Sequence, residues 1–508
     1  MVICTCGTAR HGCGSCAPRV QLWLIASSFF VQILLAKTDN RGGDLKLKRE
    51  VSVLSITLLV CLSSFAKASF IELSDSSGIR REVTSTWLTA SFDDIRTKDE
   101  EFKENRAGEI FQVRMEESGD VFDVIVAPQS ELDIDLTSSS GHKIVRAAVF
   151  PKGGKGSWIL RRSKKTGLPV EIQWHFSQDA DVFLVLRPNG RKSAADLAVF
   201  GSFAAKGVPL GVPFDRLYAA SFTDVQKWTS RALPWAEVTP SVGLHSETLL
   251  MAGTVKDNLA SMVFADNVCY DERGNLVPIM KDVPLVLKGK DGETIQMEEG
   301  VHYLSGAGFL KWIIDGIVEP TLGRGTRIDD ITDETVEIDS VGKIGVMSQE
   351  WNLMFTLDWC RNLAAEAYSA RSRRKEDFKG AGLDVTQNYF ASDVSGGKLL
   401  GSSGYIRNTG YAVERLKSVF YVLAATEPGW FYLGAVRQSS YVKPEEFVFN
   451  NCAVFFPYFD DEGRFGCFVF EQCEQVTLED FAQKYKDAFV HLERVKATDA
   501  FFPYEKKR

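Results

Sequence analysis

Motifs that carry chemistry are few in this chain of 508 residues, and so are histidines. There is no Gly-rich phosphate loop, no H-E-x-x-H metal pair and no dinucleotide fingerprint, so no nucleotide, zincin or nicotinamide chemistry is indicated. Six His are present, and none lies between His302 and His491. Positive charge is also short: 59 Lys and Arg stand against 67 Asp and Glu. Without residues 1–68 the balance is 51 against 64, a net charge of −13. Phosphate neutralisation supplies most nucleic-acid affinity, so an acidic chain is not expected to bind nucleic acid. The one basic cluster, Arg371 to Lys375, reads as the solvated end of a helix. Cysteine is sparse as well. After residue 68 only Cys269, Cys360, Cys452, Cys467 and Cys473 remain. An odd number so thinly spread cannot make disulfides the main support of the fold.

What is present is most informative at Leu45 to Ser69. Lys46, Lys48 and Arg49 form a basic start, Val51 to Phe65 is almost wholly apolar, and Ala66-Lys67-Ala68 supplies small residues where a signal peptidase reads. That is the pattern of a secretory signal over 45–68. Residues 1–44 are then read as translated upstream sequence. The rival, a first membrane helix at Val20–Ala36, has 17 residues interrupted by Gln21, Ser27, Ser28 and Gln32, short of the roughly 20 apolar residues a span needs. Cys4, Cys6, Cys13 and Cys16 have metal-like spacing but precede the signal. The mature product is expected to be periplasmic or secreted, with membrane contact limited to passage of the signal segment.

Two periodicities divide the remainder. From Glu109 to Phe203 short alternating runs predict about seven strands. In Val170–Phe176, for example, Val170, Ile172, Trp174 and Phe176 share one face. Turn residues separate the runs, as at Asn189-Gly190, and the pattern predicts an antiparallel β-sandwich over 69–238. A Pro- and Gly-punctuated connection around 207–235 leads into 239–508. There the spacing predicts helices over 246–264, 308–318, 349–373 and 411–425, then strands over 430–436, 453–456 and 466–470. Thr477 is placed to cap a last helix. Helices followed by strands give an α+β domain. The fold class is thus multi-domain, a β-sandwich followed by α+β.

In the second half Ser305-Gly306-Ala307-Gly308-Phe309 leads into Leu310-Lys311-Trp312-Ile313, and Asn450-Asn451-Cys452 opens a strand that a turn at Asp460–Gly463 returns to Glu471. This order resembles the papain-like, NlpC-type cysteine peptidases and amidases that cut cell-wall peptides. The resemblance implies a nucleophilic Cys at a helix start, a His opening a strand and a polar third residue on the neighbouring strand. A helix N-terminus lowers a thiol's pKa, and the His takes and returns the proton. Aligned on Gly308-Phe309, the nucleophile position falls on Gly306, the His position on Asn451 or Cys452, and the third position on Glu471. The hairpin places residue 452 opposite residue 471, give or take one.

Three readings follow. The leading one is a degenerate peptidase that binds peptide, glycan or a protein partner, with peptidoglycan or an envelope protein as the expected partner. The second is an active cell-wall hydrolase with another nucleophile, Ser305 with His302 as base, or Cys360. The third is a non-enzymatic two-domain scaffold. No cofactor and no metal site is expected. The acidic stretch Asp329 to Glu334 lacks the Gly and spacing of an EF-hand loop and reads as solvated.

Overall fold

Alternation builds the first half. In β7 (Pro169–His175) Ile172 and Trp174 are buried together, and Phe176 follows them into the same core. The computed structural model describes residues 71–508 apart from 139–140, 281–282, 337–353, 392–393, 396–397, 400–403, 441–446 and 504–508. The expected signal segment and everything before it lie outside the described residues. Among the described residues no helix is long and apolar enough to cross a membrane.

Of the antiparallel sandwich expected over 69–238, the structure shows one eight-stranded antiparallel sheet. Its members are β1 (Glu101–Glu104), β2 (Ile110–Ser118), β3 (Val121–Pro128), β6 (Trp158–Ser163), β7, β8 (Val182–Asn189), β9 (Lys192–Val199) and β10 (Ser202–Leu210), hydrogen-bonded in that order. The hairpin of β4 (Ser130–Ser138) and β5 (Gly141–Val149) stands apart from it. Asn189-Gly190 turns β8 into β9 with Gly190 at φ 59°, a conformation that suits glycine.

The face away from the core carries charges of alternating sign. Asp123 on β3 accepts from Arg161 on β6 at 2.9 Å, and Arg161 reaches Glu171 on β7 at 3.1 Å. Arg187 on β8 then bridges Glu171 and Asp196 on β9. Lys152 joins at Asp123 with a 2.8 Å contact. Burial opposes ionisation of Asp123, but hydrogen bonds from Arg161 and Lys152 outweigh it and hold the carboxyl below its usual range. Opposite charges on neighbouring strands also pin the register.

The core face meets helices. These are α1 (Ser77–Glu82), α2 (Phe92–Ile95) and α3 (Phe222–Thr229). Arg80 of α1 is fully buried between Trp158 and Trp174, 4.8 and 4.7 Å from the two rings. Its guanidinium donates to Ser76 Oγ and to the carbonyls of Leu217, Tyr218 and Ala220. One side chain thus ties α1, the sheet and the connection after β10 together.

The second half follows the predicted order with shifted boundaries. Its helices are α4 (Ser246–Asn258), α5 (Gly306–Leu322), α6 (Ile328–Ile331), α7 (Phe355–Ser372), α8 (Leu416–Thr426) and α9 (Leu478–Lys484). The helix expected over 246–264 stops at Asn258. Met262–Phe264 forms β11 instead, because it pairs in parallel with β14 (His302–Leu304) across a long stretch of chain. The helix expected from 411 starts later, since β17 (Tyr411–Ala412) pairs with β22 (Phe489–Lys496). Thr477 does cap α9, accepting from Asp480 N–H at 3.0 Å. Between these elements lie the hairpins β12 (Val268–Tyr270) with β13 (Leu276–Pro278), and β15 (Val394–Ser395) with β16 (Lys398–Leu399).

The main sheet runs β17-β22-β18-β19-β20-β21, where β18 is Trp430–Ser439, β19 Phe447–Phe459, β20 Phe465–Glu471 and β21 Glu474–Val476. Tyr432, Val436, Phe455 and Leu492 join α8 and the N-terminal sheet in one core. Phe431, Leu433, Val454 and Val495 join α5 and α7 in another. The sheet is therefore covered on both faces, and Ala68–Arg508 forms one compact unit.

Arg80→Ala removes the charged hydrogen bonds and the stacking of this buried side chain. The expected cost is about 3 kcal/mol or more, read as a lower urea midpoint. Arg80→Lys, a point charge without the planar fork, should not restore it.

Candidate functional site

The start of α5 is the position at which the resemblance noted in the sequence leads one to expect a nucleophile. β14 delivers the chain there, with Ser305 N–H donating to Val268 O at 3.0 Å. Ser305 is the N-cap, and its Oγ accepts from Gly308 N–H at 3.1 Å. At the far end Gly323, with φ 70°, donates to Glu319 O. A Ser cap and a left-handed Gly explain why the helix extends beyond 308–318 at both ends.

Gly306 is the first residue of the helix. A Cβ there would lie 3.6 Å from Gln472 Cγ and 3.9 Å from Cys452 Sγ. These are ordinary contacts, so the site would accept a side chain. The β19–β20 pairing runs through Val454 and Phe470, which carries residues 452 and 472 toward each other, one position from the expected match. Gly306 and Cys452 are thus brought together.

Of the other expected positions, Glu471 and Asn451 point elsewhere. Glu471 accepts from Lys484 Nζ at 2.7 Å and from Tyr485 OH at 2.9 Å, on the side of α9. Asn451 pairs with Val436 and donates to Asn450 Oδ1. Cys452 faces the core that holds α5. His302 is buried, with Tyr270 edge-on at 5.7 Å. Cys360 lies wholly inside the core between α7 and the sheet.

All five cysteines of the described residues are free thiols. Burial pushes Cys269, Cys452 and Cys473 up to about 12. It pushes Cys360 and Cys467 well above the ordinary thiol value.

A second polar group was not singled out from sequence. β22 carries His491 and Glu493 two residues apart, hence on one face. His491 Nδ1 lies 2.6 Å from Glu493 Oε1. Its Nε2 faces Tyr405 OH at 3.0 Å and an Arg361 nitrogen at 3.4 Å. Arg361, on α7, clasps Asp384 with contacts of 3.1 and 2.7 Å and reaches Asn408 Oδ1. Asp384, His491 and Glu493 offer donor atoms within 4.8 Å of one another. The guanidinium of Arg361 already supplies the positive charge among them, and the set is read as a charge network. A His-x-Glu pair beside the apolar Val490 and Leu492 was the available signal.

Burial raises Glu493 well above the carboxylate range, and Asp384 adds to the rise. Burial lowers His491 well below the imidazole range, and Arg361 adds to the fall. Together the pair keeps one proton in the fold. Unfolded, the two groups hold none above pH 6.5, one between 6.5 and 4.5, and two below 4.5. The pair's contribution to stability is therefore lost as pH rises above 6.5, and again as pH falls below 4.5. Each limb has a slope of about 1.4 kcal/mol per pH unit. In Glu493→Gln the alkaline limb should vanish and the acid limb should begin at 6.5. Urea unfolding of both proteins across pH gives the difference profile, in which all other groups cancel. Parallel profiles would mean that no proton is held there.

A family model described as a domain of unknown function (DUF8515) matches residues 69–237. No curated protein and no solved structure matches the chain.

Proposed function

We propose that this chain is an exported cell-envelope protein with a sandwich-like β-domain and a papain-like domain whose peptidase site is silent. In this reading it is retained to bind peptide, glycan or a protein partner. One observation carries it: the first residue of α5 has room for a side chain and has none, while the thiol beside it is buried. A cysteine nucleophile must be a thiolate near neutral pH. With its pKa pushed up to about 12, Cys452 is ionised in only about one molecule in 10⁵ at pH 7. Ser305 is buried and already accepts the cap hydrogen bond from Gly308 N–H, which weighs against it as an attacking group. The apolar run and small residues at 45–68 support export, and four thiols buried in the fold, with Cys467 half-buried, fit an oxidising compartment without pairing.

Three outcomes are expected. A thiol-directed activity probe should leave the native chain unlabelled at pH 7 and label it only after denaturation, and peptidoglycan fragments should be retained without cleavage. Labelling lost in a Cys360→Ala or Cys452→Ala variant, or turnover lost in Ser305→Ala, would make the silent reading wrong. Gly306→Ala should fold and change stability by about 1 kcal/mol or less, because its Cβ meets only ordinary contacts. Finally, N-terminal sequencing of the protein from its natural source should find an end near Ser69; a retained Met1 would defeat export.

A further inference from the structure

A cavity of about 560 Å³ opens beside α5, within the range of small-molecule sites. It lies on a different flank of the helix from the one Gly306 presents to Cys452. Lys311, Asp315 and Glu319 follow one another at four-residue spacing along this flank, and all three line the cavity. The Lys311 side chain is only 1% exposed, yet it carries a full charge donor. Its ammonium donates to Asp315 Oδ2 at 2.5 Å. The other Asp315 oxygen accepts from both the N–H and the hydroxyl of Thr326, each at 2.7 Å. Gly325 makes this approach possible, since a Cβ there would come within 3.1 Å of the carboxylate.

Asp315 is thus engaged at both oxygens by protein, whereas Lys311 has three donors and one acceptor among the described residues. A buried ammonium that lacks acceptors is costly. A second carboxylate entering the cavity would relieve it. The remaining charges define the rest of the ligand. Arg273, Arg324 and Arg327 line the cavity with Lys311, and Asp271, Glu272 and Glu319 line it with Asp315. Four positive groups face four negative ones, which favours neither a polyanion nor a simple cation.

We propose that this cavity binds a zwitterion the size of an amino acid or dipeptide, its carboxylate on Lys311 and its ammonium on Glu319. The assignment deepens the binding reading above and rests on it only in taking the chain to hold such a molecule without cleaving it.

The test is calorimetric titration of the whole chain with the dipeptide Ala-Ala, its N-acetyl derivative and its C-terminal amide. Ala-Ala should bind saturably, and each blocked form should bind about tenfold or more weakly, the change expected for losing a charge-assisted hydrogen bond. Lys311→Met should abolish binding, but it strands Asp315 in the interior and endangers the fold. Glu319→Gln, at a half-exposed position, avoids that. It should weaken Ala-Ala about tenfold while leaving the N-acetyl form unaffected, because that form has no ammonium to lose. Absent binding, equal affinity for all three peptides, or equal weakening of the free and acetylated forms by Glu319→Gln would overturn the assignment. Release of free alanine would defeat the silent-site reading instead, and discrimination by Glu319→Gln would still uphold the cavity.

Discussion

The structure depends on one sheet being buried on both faces. Side chains from β18, β19 and β22 alternate between the core that holds α8 and the core that holds α5 and α7. Each strand therefore has two apolar sets to satisfy, and a slip of one residue would exchange them. Gly434 shows how close the packing is: a Cβ there would come within 2.5 Å of the Phe455 ring. The α8 face continues into the N-terminal sheet, so that sheet's second layer is built from helices and from the other half of the chain.

The buried charges described above have partners. Arg80 is met by carbonyls and two indoles, and Asp123 by Arg161 and Lys152. Arg361 is met by Asp384, and His491 and Glu493 share one proton between them. Such sets cost much to break and little is gained over apolar packing. Their value lies in position: Arg80 locks α1 against the sheet, and Arg361 locks α7 against β22. The pair of Lys311 and Asp315 differs because it borders open space, and this makes it a candidate for recognition as well as for structure.

The start of α5 is a Ser-capped helix terminus with a glycine as its first residue. Unpaired N–H groups at a helix start favour negative charge, and the cap on Ser305 takes one of them. Cys452 lies close by, but it belongs to the strand and to the dry core. Desolvation acts against the thiolate there, and the Glu471 carboxylate adds to the rise. Proximity to a helix terminus does not activate a thiol that water cannot reach.

Much of this was legible in the chain. Alternation in Val170–Phe176 gave the sheet its inner face, Thr477 announced α9, and the turn at Asp460–Gly463 brought residues 452 and 472 together. Local rules suffice where each residue's neighbours in sequence are also its neighbours in space. They fail where the partner is remote. Met262–Phe264 is a strand only because His302–Leu304 lies beside it, and Tyr411 is held by Val490 rather than by its own helix. Arg361, Asp384, Tyr405 and His491 come from four separate segments and become a network only when α7 settles on β22. The sequence by itself determined periodicity, caps, turns and an acidic, thiol-poor composition, since these are set within a few residues. Tertiary structure alone decided which charges are buried together and which border a cavity, because burial and electrostatic coupling depend on distances that only packing creates.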